Sequence, residues 1–261
     1  NYDEKLLASA LSRGFITCMI WAPTSATIAL VVQLTGVDWV AFFPFAIACA
    51  LIAGAVGFLM TFVRDEAAKA SSDEAEAPAG KIDAGKVVEL SAFAFLLVVS
   101  VAATSQLGGL SAIVVVAMAS LVFPVAWMAA IGRLPTYARE FRGDYFNNKL
   151  PQSKNQIVLF AGAGFFAQSI GYSHLVGSLL HMTGQSVLLL TVAIIGITLA
   201  TSAVGIHPIA VVAVVGGTMG ASQWGVSPIY LALVLSISWA MGNALCPASA
   251  NVVAVSDMVG Q

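Results

Sequence analysis

Long apolar stretches alternate with short polar breaks along this chain, and the stretches have the length of a bilayer crossing rather than of a soluble core helix. A helix needs about 20 apolar residues to span the hydrocarbon. Such runs lie at 15–34, 39–63, 87–106, 110–132, 156–181 and from 228 onward. Turns at Gly36-Val37-Asp38 and at Gln106-Leu107-Gly108-Gly109 separate neighbouring spans. The pattern predicts an all-α polytopic membrane protein.

Two of the runs are built wrongly for a plain helix. In 239–260, Gly242, Asn243, Pro247, Ser249 and Asn251 crowd into ten residues. A proline inside a helix removes one donor and frees a carbonyl one turn back. Freed backbone groups at membrane depth persist only when buried in protein or lining a wet cavity. The first run is expected to break in the same way near Pro23, with Thr24, Ser25 and Thr27 at the break. Residues 22–36 align without gaps on 246–260: Pro, Ser, Ala, a Val and the closing Gly coincide. Ser and Thr in membrane helices also bond back to their own backbone, which is the plainer role for those three residues. Paired broken helices in an inverted repeat point to a secondary transporter's binding site.

Residues 186–219 differ from the spans. Two apolar arms, 186–200 and 209–219, flank Thr201-Ser202-Ala203-Val204-Gly205-Ile206-His207-Pro208. Each arm covers roughly 17–23 Å against a hydrocarbon core of about 30 Å. Short arms around a Gly/Pro tip predict a re-entrant hairpin that places His207, an ionisable group, at depth. Two short tilted helices with His207 in an outer loop are the alternative.

Composition agrees with a membrane protein: 59% of residues are hydrophobic and 9% charged. Every Lys and Arg falls in the lead-in 1–14, the acidic 64–86 segment or the basic, aromatic 133–154 segment. Alternate loops thus hold all the basic residues, and the positive-inside rule makes those loops cytoplasmic. Counted from that orientation, the two Pro-x-Ser-Ala segments run in opposite directions. The organisation expected is the end of a first repeat (1–63), a flexible cytoplasmic linker (64–86) and a second repeat (87–261). The second repeat contains an interfacial arm (133–154), the hairpin (186–219) and a broken span (228–256). The arm lies between two spans, so its basic residues do not make a nucleic-acid face.

Other chemistry is sparse. Cys18, Cys49 and Cys246 have neither disulfide nor metal spacing. His174 and His181 fall at the far end of the 156–181 span, where interfacial or packing roles suffice. The sequence carries no paired aspartates for a metal–diphosphate site, no His-Glu-x-x-His and no Gly-x-Ser-x-Gly, so an intramembrane enzyme is the less favoured class. No Asp or Glu lies deep in a span, with Glu89 and Asp257 near ends, which counts against a cation/proton antiporter.

The order of elements resembles the ion transporter superfamily, in particular the divalent anion:sodium symporters of the citrate and dicarboxylate type. Leu159 to Gly164 with Ser173 to Gly177 is similar to that family's glycine-rich span before its outer hairpin. Thr201 to Val204 falls where the family carries a Ser-Asn-Thr tip, and Cys246 to Asn251 where it carries a Thr-Pro-Pro-Asn-type loop. Only Ser202 of the triad is kept, Gly205-Ile206-His207-Pro208 is foreign to it, and Pro247 and Asn251 fit the loop loosely. The resemblance implies an inverted-repeat secondary transporter, a fragment of a longer chain, in a bacterial cytoplasmic membrane. It moves an organic anion, a di- or tricarboxylate, coupled to sodium or protons, with no cofactor beyond a possible coupling Na+. A homodimer is also implied. Substrate contacts are expected from Thr24, Ser25, Thr27, Ser202, His207, Asn243, Ser249 and Asn251. Ion contacts are expected from Ser202, Gly205, Pro247 and Ser249. A cation/proton antiporter of the same superfamily is the rival reading.

Overall fold

The computed structural model describes residues 2–69, 84–110, 112–152, 186–218, 221–222, 225–247, 249 and 251–252, with scattered positions from 154 to 169. Among the described residues every regular element is helical and none is a strand. In chain order these are α1 (Tyr2–Trp21), α2 (Ala26–Thr35), α3 (Trp39–Lys69), α4 (Ala84–Gly108), α5 (Ala112–Ala130) and α6 (Leu134–Glu140). A π-helical stretch (Phe141–Lys149) leads into α7 (Leu150–Gln152). After these come α8 (Val187–Ala203), α9 (Ile209–Thr218) and α10 (Pro228–Leu245).

Among the described residues four segments are long and apolar enough to cross a membrane, Ala8–Thr35, Trp39–Phe62, Ala84–Gly108 and Pro228–Leu245, while the span predicted at 110–132 appears as a shorter apolar helix, Val114–Ala130, within α5. The first contains the α1–α2 break, as Pro23 predicts. Its start differs from expectation. Residues 1–14 do not form a separate lead-in, because α1 runs unbroken from Tyr2 and brings Arg13 into the first span. The Arg13 guanidinium donates to the Gly57 carbonyl on α3, which answers part of its demand for acceptors. Helix α3 overruns its predicted end at 63 and stops at Lys69. Asp65-Glu66-Ala67-Ala68-Lys69 are mostly good helix formers, and a helix already nucleated extends cheaply through them. Residues 70–83, the rest of the predicted linker, lie outside the described residues, as does most of the 156–181 span with His174 and His181.

The basic arm is helical throughout its described length. Its aromatic residues stack at four-residue spacing, Tyr137 on Phe141 and Phe141 on Tyr145, with centroids 5.7 and 5.0 Å apart.

Helix α10 is the centre of the molecule. It packs against α1, α2, α3, α8 and α9. Its buried residues, among them Leu231, Val234, Leu235, Ser236, Trp239, Ala240, Gly242 and Asn243, cover most of its circumference, while Tyr230, Met241 and Leu245 stay exposed on the remaining face. A helix buried over so wide an arc belongs against several neighbours in a bundle. Helix α3 lays Trp39, Phe42, Ala46 and Ala50 against this core at helical spacing. Its other side exposes Leu51, Ile52, Val56, Phe58, Leu59 and Met60. Most of α4 is apolar and exposed as well. Such surfaces are stable against lipid and not against water.

Candidate site at the paired helix breaks

The first break is closed by a short set of backbone bonds. Ala22 N–H donates to Cys18 O at 2.9 Å, and Ser25 N–H to Ala22 O at 3.0 Å. Ser25 then caps α2, its hydroxyl accepting from Thr27 N–H at 3.2 Å. The second break repeats this set at a constant offset of 224 residues. Cys246 N–H donates to Gly242 O at 2.9 Å, and Ser249 N–H to Cys246 O at 3.0 Å. Ser249 accepts from Val252 N–H at 3.2 Å, so its hydroxyl takes up an amide just past the break, where Asn251 and Val252 are helical. The shared Pro-x-Ser pattern thus encodes one device twice: proline ends a helix, and serine two residues later starts the next.

Pro247 should free the carbonyl of residue 243, one turn back. The Ser249 hydroxyl donates to that oxygen at 2.8 Å. Serine therefore repairs the ladder that proline opens, and the carbonyl keeps one lone pair for a further partner.

The breaks lie side by side and antiparallel. Asn243 Nδ2 donates to the Met19 sulfur at 3.1 Å, and Asn251 Nδ2 to Ser12 Oγ at 2.9 Å. As the first chain rises from 12 to 19, the second descends from 251 to 243. Met19 and Asn243 are themselves separated by 224 residues, so equivalent positions of the two copies touch each other. Contact between equivalents is what a local two-fold axis produces.

The hairpin-like pair α8–α9 sits on this arrangement. Helix α8 ends with a Schellman motif. Ile206 N–H donates to Thr201 O and Gly205 N–H to Ser202 O, both at 3.0 Å, with Gly205 at φ 93°. That conformation is glycine's own, so ending α8 accounts for Gly205 without an ion. His207 starts α9, its Nδ1 accepting from Ile209 N–H at 3.3 Å, while its ring stands edge-on to Trp239 with centroids 6.3 Å apart. Pro208 and Ser202 close onto α10 at Gly242. A Cβ there would lie 2.7 Å from Ser202 Oγ, 2.8 Å from Pro208 Cβ and 3.1 Å from the Thr198 methyl. Only glycine lets the tip of α8–α9 approach so near.

The predicted residues therefore divide. Ser202, Asn243, Ser249 and Asn251 are buried around the end of α10. Ser202 Oγ and Asn243 Oδ1 are buried and have no hydrogen-bond partner. Thr27 is buried on α2, which packs against α10. His207 stands half-buried beside Trp239. Thr24 and Pro247 are exposed, and Ser25 is half-buried. Thr24 points away because the capping role falls to Ser25 instead. The sequence reading passed over Ser12, Met19, Thr198 and Ser236. Ser236 and Asn243 are seven residues apart, two turns along one helix face, as are Ser12 and Met19. That repeated spacing was the signal available.

Family models, curated proteins and solved structures were all compared with this chain, and none of them matches it.

Proposed function

We propose that this chain is the core of a secondary active transporter that moves an organic anion, a di- or tricarboxylate, coupled to sodium or protons. The observation that carries the reading is the pair of helix breaks: the same two backbone hydrogen bonds at a constant offset, each followed by a serine cap, crossing antiparallel beside unpartnered buried polar atoms. An inverted repeat with discontinuous helices gathers ion and substrate groups at such a crossing. In this reading α8–α9 is a re-entrant hairpin whose tip seals the crossing at Gly242.

Several features favour an anion as cargo. The crossing offers buried hydroxyls and the side-chain amides of Asn243 and Asn251, which suit a carboxylate. Among the described residues no acidic residue is buried there. The free Asn243 oxygen and the second lone pair of its carbonyl suit a small cation, so charge compensation by co-transport follows naturally. The surrounding exposed apolar helices support a site within a bilayer, and a homodimer is part of the proposal.

Uptake into proteoliposomes by the full-length protein tests this. The expected result is accumulation of one di- or tricarboxylate that requires an inward sodium or proton gradient. An absence of uptake across a panel of such acids, under both gradients and at two pH values, overturns the assignment.

A further inference from the structure

The two sides of the crossing are not equally bonded. A two-fold relation at the offset of 224 converts the contact between Ser12 and Asn251 into one between Ser236 and Thr27. The first bond is made, at 2.9 Å. Its counterpart is not. Ser236 Oγ is fully buried without a hydrogen-bond partner, although α2, which carries the buried Thr27, packs directly on α10. A buried hydroxyl left unsatisfied is penalised, and native structures keep few of them.

The distances along the helices arrange these pairs as a lever. Ser12 lies seven residues from Met19, and Asn251 lies eight from Asn243. Ser236 and Thr27 stand at the same separations on the opposite side of the Met19–Asn243 contact. Within the unbroken helices Ser12 and Ser236 each lie seven residues from the pivot, roughly 10 Å at 1.5 Å per residue. A rotation of about 10° moves a point that far out by roughly 2 Å, enough to break one hydrogen bond and close another. Methionine suits the pivot, since its unbranched chain and soft sulfur tolerate reorientation.

We propose that Ser236 is a positioning residue that bonds Thr27 in the opposite access state, in which the Ser12–Asn251 bond is released. The two pairs alternate as one copy of the broken helix rocks on the other about Met19–Asn243. Rocking of one repeat against its inverted partner is a general route to alternating access, so the inference rests on the transporter reading and adds to it which residues mark each state.

Cysteine pairs in the full-length protein decide it, after Cys18, Cys49 and Cys246 are replaced by alanine. One pair is Ser12→Cys with Asn251→Cys, the other Thr27→Cys with Ser236→Cys, each treated in membranes with a short bifunctional thiol reagent. Both pairs are expected to cross-link when present alone. In the four-cysteine protein, closing one pair should slow cross-linking of the other at least about fivefold, the scale of one lost hydrogen bond. Simultaneous, complete cross-linking of both pairs overturns the proposal, and so does a Thr27/Ser236 pair that never reacts. Ser236→Ala provides a variant that folds: removing an unpartnered hydroxyl should leave the melting temperature unchanged or raised while slowing uptake about fivefold. Unchanged uptake by this variant also overturns the proposal. Mutual exclusion of the two cross-links in a protein that takes up no organic anion would uphold the rocking and overturn the transport assignment alone.

Discussion

Serine at the fourth position after each helix end does more than decorate a polar break. Ser249 donates to the Asn243 carbonyl and accepts from Val252 N–H, so one hydroxyl both mends the helix before the break and caps the helix after it. Removing it takes this partner from the buried Asn243 carbonyl and from the half-buried Val252 N–H. Ser249→Ala is expected to destabilise the protein by about 1–3 kcal/mol, read as a lower melting temperature in detergent. Ser25 is half-buried and makes only the capping bond, so Ser25→Ala should fall at the low end, about 0.5–1 kcal/mol. Equal losses from the two variants would count against the double role of Ser249. The serines were legible from the sequence because proline and a capping residue are local signals. The second duty of Ser249, and the burial that separates it from Ser25, were not, since both depend on what α10 packs against.

Elements meet here through backbone proximity rather than through large interdigitating side chains. The tip of α8–α9 reaches α10 only because residue 242 has no side chain. Gly242→Ala puts a methyl group against the rigid ring of Pro208 and the Ser202 hydroxyl, both well inside contact distance. The expected loss is about 1–3 kcal/mol, with greater protease access to the 204–208 turn. Wild-type stability in that variant would show that the tip has room to retreat. A glycine next to an asparagine in an apolar run reads as unusual in sequence. Its meaning came only from α8, some forty residues earlier in the chain, since glycine marks close approach without naming the element that approaches. The same holds for His207. Sequence offered it as an ionisable group at depth, and the fold gives it a local duty at the start of α9 beside Trp239.

At the level of the whole molecule, all the basic residues except Lys5 and Arg13, which α1 carries, fall in the 64–86 and 133–154 segments, and the positive-inside rule predicts that those two segments share one side of the membrane. In oriented vesicles an added protease should cut both segments from the same side, while the 36–38 and 106–109 turns stay protected from that side. Cleavage of 64–86 and 133–154 from opposite sides would reverse the direction assigned to every later helix.

Sequence by itself determined the helical class, four of the membrane-length apolar segments, both helix breaks and their likeness to one another. These follow from hydrophobic run length, proline's missing donor and serine's capping hydroxyl, all of which act within a few residues. Only the tertiary structure decided that the breaks cross antiparallel with Met19 against Asn243, that α10 lies at the centre and that Ser12 and Ser236 belong to the crossing. Those facts depend on which faces of distant helices are buried together. In chains this uniformly apolar the outward, lipid-facing side is as hydrophobic as the packed one, so the hydrophobic pattern could not choose between them.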